Sequence, residues 1–253
     1  MLPRIVAFDL DDTLAPSKSP LADEMVAALH RLLDATEVCI ISGGHFGQFE
    51  EQVLQPLGEA HEHALERLHL MPTCGTQYLR RVDRQWRLQY AEFLTEEQKV
   101  RATNSLEAHA RRLGYWEAST WGPVLEDRGS QITFSALGQA APVAAKSAWD
   151  PDGAKKRALR DAVAFDLPDL QVHSGGSTSI DVTRLGVDKA YGMAGLSEAT
   201  GVLLTDMLFV GDRLDEGGND YPVKALGVTS IAVREWPDTV GVIDGLLALD
   251  VVG

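Results

Sequence analysis

Apolar positions along the chain fall into short blocks whose spacing alternates between two periods. Ile5–Phe8 and residues 38–41 are β-branched and aromatic runs too short for helices. Each is followed at once by polar residues, as expected of buried strands that deliver loops at their carboxyl ends. Between them Leu21, Met25, Ala28, Leu29 and Leu32 recur at helical spacing, with Ser19 and Pro20 predicted as N-cap and first-turn residues. Strand, helix, strand in this order predicts a parallel βαβ unit with its polar loops on one sheet edge. Residues 46–57 and 60–70 read as further helices.

The pattern changes in the middle of the chain. Residues 80–87, rich in arginine, predict a polar hairpin, and a strong helix follows from Thr95, which forms a capping box with Gln98, to Gly114 as its C-terminal cap. Residues 131–135 alternate as a strand, 151–165 read as a helix after Asp150, and 170–173 and 178–183 read as strands paired around Gly175 and Gly176. This predicts an antiparallel sheet with helices on one face, a separate α+β module over residues 81–186. From Asp188 the first rhythm returns: a helix, a strand at 207–210, a Gly-rich acidic loop, a short helix to Leu226, a strand at 229–233 and a last helix ending near Ala248. The expected fold class is therefore α/β, a doubly wound, Rossmann-like parallel-sheet core made from residues 1–80 and 187–253, with the α+β module inserted as a second domain.

Composition narrows the partners. The 253 residues suffice for one to two domains, and 45% hydrophobic with 24% charged residues is ordinary globular usage. A formal net charge of −14 repels phosphate backbones and anionic lipid, so neither nucleic acid nor membrane is expected as a partner. A small anionic substrate would need a local cation or metal. The apolar run near the N-terminus is too brief for a signal-peptide core, and no stretch approaches the roughly 18 apolar residues of a membrane span. With two cysteines, Cys39 and Cys74, read as plain thiols, a reduced cytoplasmic protein is expected.

Candidate chemistry sits at the strand ends. Asp9-Leu10-Asp11-Asp12-Thr13 follows the first strand, where ligands bind in open parallel sheets. Three carboxylates in four residues repel one another unless a cation relieves them. Mg²⁺ takes one or two carboxylates plus water and a substrate phosphate, which leaves a carboxylate over to act as nucleophile. The second acidic loop, Gly211 to Asp220, again follows an apolar strand. Gly217 and Gly218 let it fold back, bringing Asp212 and Asp220 towards one point on the same sheet edge. Ser42 with Gly43 and Gly44 offers a hydroxyl and backbone amides to an anion, and Lys189 at a helix start offers an ammonium, although each alone reads as an ordinary turn or surface charge.

The order of these motifs resembles the haloacid dehalogenase superfamily of phosphotransferases. An α+β insertion between Ser42 and Lys189 is similar to the type IIB (C2b) cap of that superfamily. The Gly211-Asp212 loop with its Gly217-Gly218-Asn219-Asp220 ending resembles the eukaryotic-type phosphomannomutases and related sugar phosphatases. Ser174-Gly175-Gly176, Ile180-Asp181-Val182 and residues 128–139 are also similar to the cap of that family.

The resemblance implies an aspartyl-phosphate mechanism, with Asp9 as nucleophile and Asp11 as general acid and base. It implies that Ser42, Gly43 and Lys189 hold the phosphoryl group. Asp9, the backbone carbonyl of Asp11, and Asp212 would hold Mg²⁺, supported by Asn219 and Asp220. Arg128, Gln139, Ser177 and Asp181 would be the cap contacts. Asp12 stands where the family's first motif has glycine. In the mutases both ends of the 128–139 stretch are arginines that grip the phosphate not being transferred; here the far end is Gln139, with Lys146 and Arg184 as candidate replacement cations. The expected activity is therefore a Mg²⁺-dependent phosphohydrolase acting on a small phosphorylated metabolite such as a sugar phosphate, with a phosphomannomutase-type mutase as the alternative. A non-catalytic binding protein on this fold would be expected to lack Asp9 or Asp11. The oligomeric state stays open, a cap-mediated dimer among the options.

Other patterns do not mark sites. His61, His63 and His69 have the wrong offsets for a zinc pair on one helix, Gly43 to Gly47 is not a dinucleotide fingerprint, and the tryptophans between residues 86 and 149 read as core.

Overall fold

The computed structural model describes residues 2–58 and 62–251. The chain begins with β1 (Ile5–Phe8), α1 (Asp23–Ala35), β2 (Glu37–Ile41), α2 (Phe46–Phe49), a π-helical turn (Glu50–Leu54), α3 (Gln55–Leu57), α4 (Glu62–Leu65), β3 (Leu68–Met71), β4 (Gln77–Val82) and β5 (Gln85–Ala91). There follow α5 (Glu96–Leu113), β6 (Leu125–Asp127), β7 (Gln131–Ser135), α6 (Val143–Trp149), α7 (Ala154–Asp166), β8 (Leu170–Ser174) and β9 (Ser179–Arg184). The last segment carries α8 (Lys189–Thr200), β10 (Met207–Gly211), α9 (Tyr221–Ala225), β11 (Thr229–Ala232) and α10 (Trp236–Val251). Two compact units result, one from Met1–Ala91 with Asp188–Gly253, the other from Glu92–Val187.

The first unit is built on a seven-stranded sheet in the order β11-β10-β1-β2-β3-β4-β5. The five strands from β11 to β3 are parallel, and β4 and β5 run antiparallel. Alternation along the fully buried β1 explains why helices lie on both faces. Val6 and Phe8 pack with Met25, Leu29 and Leu32 of α1 and Ile243 of α10, whereas Ile5 and Ala7 pack with Met193 and Leu196 of α8 and Val223 of α9. Phe8 is paired in register with Ile40 on one side and Val210 on the other. The residues that follow these three strands therefore emerge together on one edge, and this is what assembles the site.

The structure departs from the sequence expectations at three places. Residues 60–70 are not one helix: α4 spans a single turn and Leu68–Met71 form β3, every residue buried and paired in parallel with β2. His69 is accommodated in this strand because the neighbouring strands meet both its ring nitrogens, Nε2 lying 2.7 Å from Glu37 Oε2 and Nδ1 2.7 Å from the Tyr78 hydroxyl. Ala60 and His61 lie outside the described residues. The arginine-rich hairpin is longer than its polar stretch and extends the first unit's sheet, so this unit runs to Ala91 rather than ending at residue 80. Its two-residue turn, Asp83-Arg84, has both φ angles positive (50° and 64°), matching the twist of the flanking strands. Finally, α1 starts at Asp23 behind Ala22, without a side-chain cap. Ser19 lies in a turn closed by its amide on the Pro16 carbonyl, and Gln52 ties the segment down: the Ser19 carbonyl accepts from Gln52 Nε2, and the Leu21 amide donates to the Gln52 carbonyl.

The second unit contains a four-stranded antiparallel sheet, β6-β7-β9-β8. Ala102, Leu106 and Ala110 of α5 with Leu159 and Val163 of α7 bury the apolar face formed by Ile132, Phe134, Val172, Ile180 and Val182. The capping box of Thr95 and Gln98 is formed, and Gly114 closes α5 at φ 73°. Helix α6 has no counterpart in the sequence reading. The opposite sheet face is polar, and Gln131, Thr133, Ser135 and Thr183 on the strands are nonetheless buried. Among the described residues no helix is long and apolar enough to cross a membrane. Cys39 and Cys74 are both thiols.

Candidate active site

The carboxyl ends of β1 and β10 meet at Asp9, Asp212 and Asp220. One carboxylate oxygen from each lies within 4.8 Å of the others. Asp9 is 4% exposed and Asp220 fully buried. The loop after β10 folds back because Gly217 takes a left-handed φ of 91° and Gly218 lies against the Arg213 carbonyl, where a Cβ would clash. Gly211 leaves room for the Asp220 carboxylate in the same way. Thr13 joins the two loops, its hydroxyl 3.4 Å from Asp212 Oδ1 across 199 residues of sequence, and its carbonyl accepting from Thr239.

Lys189 is the first residue of α8, whose N-cap Asp188 accepts from the Tyr191 amide. Its side chain is 1% exposed, and its ammonium lies 2.6 Å from Asp9 Oδ1 and 2.5 Å from Asp220 Oδ1. Asp220 Oδ2 accepts from the Arg213 amide. Burial alone would lower the Lys189 pKa, but Asp9 and Asp220 together raise it, so the ammonium stays charged. The Asp9 carboxyl is pushed well above the usual carboxylate range, first by burial and then by repulsion from Asp220 and Asp212, which the Lys189 ammonium only partly offsets. Burial and Asp220 raise Asp212 as well.

When all three carboxylates are ionised, the one ammonium among them leaves two negative charges unbalanced. A hard divalent cation fits this donor set, which is all oxygen and clustered at the mouth of a parallel sheet. Asp9 and Asp212 would hold it, with Asp220 completing the acidic group. A bound cation would lower the carboxyl pKa values and help neutralise a phosphoryl group.

Asp11 points elsewhere. Its carboxylate receives the Lys18 amide (2.7 Å) and Gln52 Nε2 (3.3 Å) on Oδ1, and Gln48 Nε2 (3.2 Å) on Oδ2. Asp12 sits at φ 65°, a conformation that glycine adopts freely and Asp tolerates, and its Oδ1 accepts from the Ser17 amide. Ser42, 4% exposed, closes β2 with its hydroxyl accepting from the Gly44 amide. That amide is used within the loop, whereas Gly43 sits half-buried at its bend. Asn219, next to Asp220 in the same loop, is exposed.

In the second unit the side chain of Arg128 is 7% exposed and paired with Glu126 at 2.7 Å. Gln139 donates to the Ser135 hydroxyl, and Lys146 reaches the Gln139 carbonyl at 3.2 Å. Asp181 accepts from Thr133, and Ser135 meets Ser179 at 3.1 Å. Ser177 lies exposed in the turn before β9, and Arg184 pairs with Glu92. Sequence reasoning missed Thr133, Ser135 and Ser179, although the alternation of 131–135 already placed two of them opposite Ile132 and Phe134. It also missed Gln48 and Gln52, whose i, i+4 spacing was the available signal.

An aspartate nucleophile candidate beside a buried lysine, facing an acidic loop across the switch point of a doubly wound sheet, defines a phosphotransferase of the haloacid dehalogenase superfamily. The model of the eukaryotic phosphomannomutase family matches residues 121–248, and the chain belongs to this family. Phosphomannomutase 2 of Dictyostelium discoideum is 23% identical over 224 residues, covering 87% of this chain and 86% of the relative. The IMP-nucleotidase of Plasmodium falciparum shares the fold at a TM-score of 0.70 and 12% identity, covering 98% of this chain and 68% of that one. A haloacid dehalogenase-like hydrolase from Bacteroides thetaiotaomicron does so at 0.61 and 16% identity, covering 97% and 99%. The chain is thus an enzyme of the phosphatase and phosphomutase class.

Proposed function

We propose that the protein is a Mg²⁺-dependent phosphohydrolase that releases phosphate from a small phosphorylated metabolite, a sugar phosphate first among them, in the reducing cytoplasm. The observation that carries this reading is the arrangement around Asp9. Its side-chain hydrogen bonds, from the Leu10 amide and Lys189, both fall on Oδ1, which leaves Oδ2 for attack on phosphorus. Asp9 Oδ2 forms the bond to phosphorus as the bond to the leaving oxygen breaks, and Asp11 gives that oxygen its proton. A water molecule then attacks phosphorus, Asp11 takes its proton, and the phosphate leaves Asp9. Lys189, Ser42 and Gly43 hold the phosphoryl oxygens. Asp9, the Asp11 carbonyl and Asp212, with support from Asp220 and Asn219, would hold Mg²⁺, which would neutralise charge on the transferring group.

The second unit, residues 92–187, is the proposed specificity domain. The polar face of its sheet, with Asp181, Thr133 and Ser179, suits hydroxyl-rich substrates, and Arg128, Gln139 and Ser177 belong to the same recognition set. Hydrolysis is preferred over mutase chemistry because Gln139 carries no charge and Arg128 is paired with Glu126. A mutase must retain a bisphosphate by its second phosphate, and a neutral amide cannot replace a charge-assisted contact to a dianion. The mutase reading has its own support in the family match and in the relative named phosphomannomutase. Incubation with mannose 1-phosphate or glucose 1-phosphate, with and without the bisphosphate, separates the two. Free phosphate should exceed the 6-phosphate isomer, and Asp9→Asn should release neither. Rapid isomer formation with little free phosphate reverses the preference, and turnover by Asp9→Asn removes the aspartyl-phosphate.

A further inference from the structure

Asp11 is fixed by two amides on the helical segment after β2. Gln52 is 3% exposed and lies in the π-helical turn, a rare geometry that recurs at functional sites. Its Nε2 serves Asp11 Oδ1 and, at 2.8 Å, the Ser19 carbonyl, while its Oε1 accepts from Gln48 Nε2 at 2.6 Å. The orientation of this amide is determined by its partners: a flipped Gln52 would set its oxygen against a carboxylate and a carbonyl, which are both acceptors. Gln48 Nε2 in turn gives one hydrogen to Gln52 and the other to Asp11 Oδ2. Gly44 makes room for it, since a Cβ there would strike the Gln48 amide.

We propose that Gln48 and Gln52 form an amide clamp that positions Asp11 for proton transfer to the leaving oxygen, an inference that rests on the phosphohydrolase reading above. Oδ1 is held as an acceptor by two donors, the Lys18 amide and Gln52. The proton delivered to the leaving group therefore sits on Oδ2, the oxygen with a single contact. Both glutamines act through Asp11 and are positioning residues. Their loss weakens proton donation without touching the nucleophile.

The test compares kcat/KM for p-nitrophenyl phosphate, whose leaving group departs without a proton, with that for phenyl phosphate, whose leaving group needs one. This parameter reports steps up to leaving-group release, so slow hydrolysis of the phosphoenzyme does not obscure it. Gln48→Leu and Gln52→Leu should each lower kcat/KM for phenyl phosphate about tenfold, the lower end for a charge-assisted contact, and that for p-nitrophenyl phosphate less than about twofold. In an Asp11→Asn background neither change should have a further effect. Gln48 is only half-buried, so its variant remains informative even where Gln52→Leu folds poorly. Equal losses on both substrates, or full additivity with Asp11→Asn, overturn the clamp. If Asp11→Asn itself fails to discriminate between the two substrates, the general-acid role falls, and absence of any aryl phosphatase activity in the wild type overturns the phosphohydrolase reading together with the clamp.

Discussion

Lys189 is enclosed completely, and an ammonium in that position is stable only because Asp9 and Asp220 lie within 2.6 Å of it. The balance runs both ways, since the same cation is what lets the carboxylates coexist. Lys189→Met should therefore destabilise the protein by about 3–5 kcal/mol, the range for breaking a buried pair, and should abolish turnover. Added Mg²⁺ should recover part of the stability by supplying the missing charge. Thermal melts with and without Mg²⁺ check this, and an equal drop in both would mean that the acidic group does not take up the cation. Asp12 illustrates a milder economy of conformation: at φ 65° it stands where the resemblance expects glycine, and its hydrogen bond to the Ser17 amide holds it there.

At the level of elements, β2, β3 and β4 share a polar contact around the buried His69. Burial lowers the His69 pKa, and Arg80 on β4 pushes the same way, while Glu37 opposes them. Neutral His69 donates from Nε2 to Glu37 and accepts the Tyr78 hydroxyl at Nδ1, and its hydrogen bond lowers the Glu37 pKa. An unfolded chain binds the His69 proton near pH 6.5 whereas the folded strand resists it, so stability falls as pH drops below that value. The Glu37 contribution is present above its unfolded value of 4.5 and is lost on further acidification. Urea midpoints between pH 7.5 and 5 should decline in the wild type and decline less in His69→Phe; parallel slopes would dismiss the strand network as their source. The same residue shows what the sequence left illegible. The central strands were readable because Ile5–Phe8 and its parallel neighbours are continuous apolar runs. A histidine among Leu68, Leu70 and Met71 disguised β3 as part of a helix, because its partners come from other strands. The acidic loops were readable for a related reason: charge directly after a buried strand has few explanations. Gln48 and Gln52 were not, since a glutamine on a helix is unremarkable until the carboxylate it faces is known.

For the whole molecule, a formal charge of −14 and an acidic cluster on the rim of the sheet lead to the expectation that a divalent cation should stabilise the fold. At a hundredfold excess over its dissociation constant, Mg²⁺ should contribute about 2.7 kcal/mol, a rise of roughly 5–10 °C in Tm for a protein of this size. Asp212→Asn should remove most of that rise, as a thermal melt across a Mg²⁺ titration will show; an unchanged shift would exclude Asp212 as a ligand. The strand order carries a further consequence, for synthesis rather than chemistry. β1 pairs with β2 on one side and with β10 on the other, yet about 200 residues separate β1 from β10, so a ribosome adding about 5–20 residues per second leaves roughly 10–40 s between them. During that interval the emerging chain carries Ile5–Phe8 as an unpaired apolar edge, the kind of edge on which chains aggregate. Slow codons before Met207 should lengthen this exposure and lower the soluble yield, while slow codons after Gly211 should leave it unchanged.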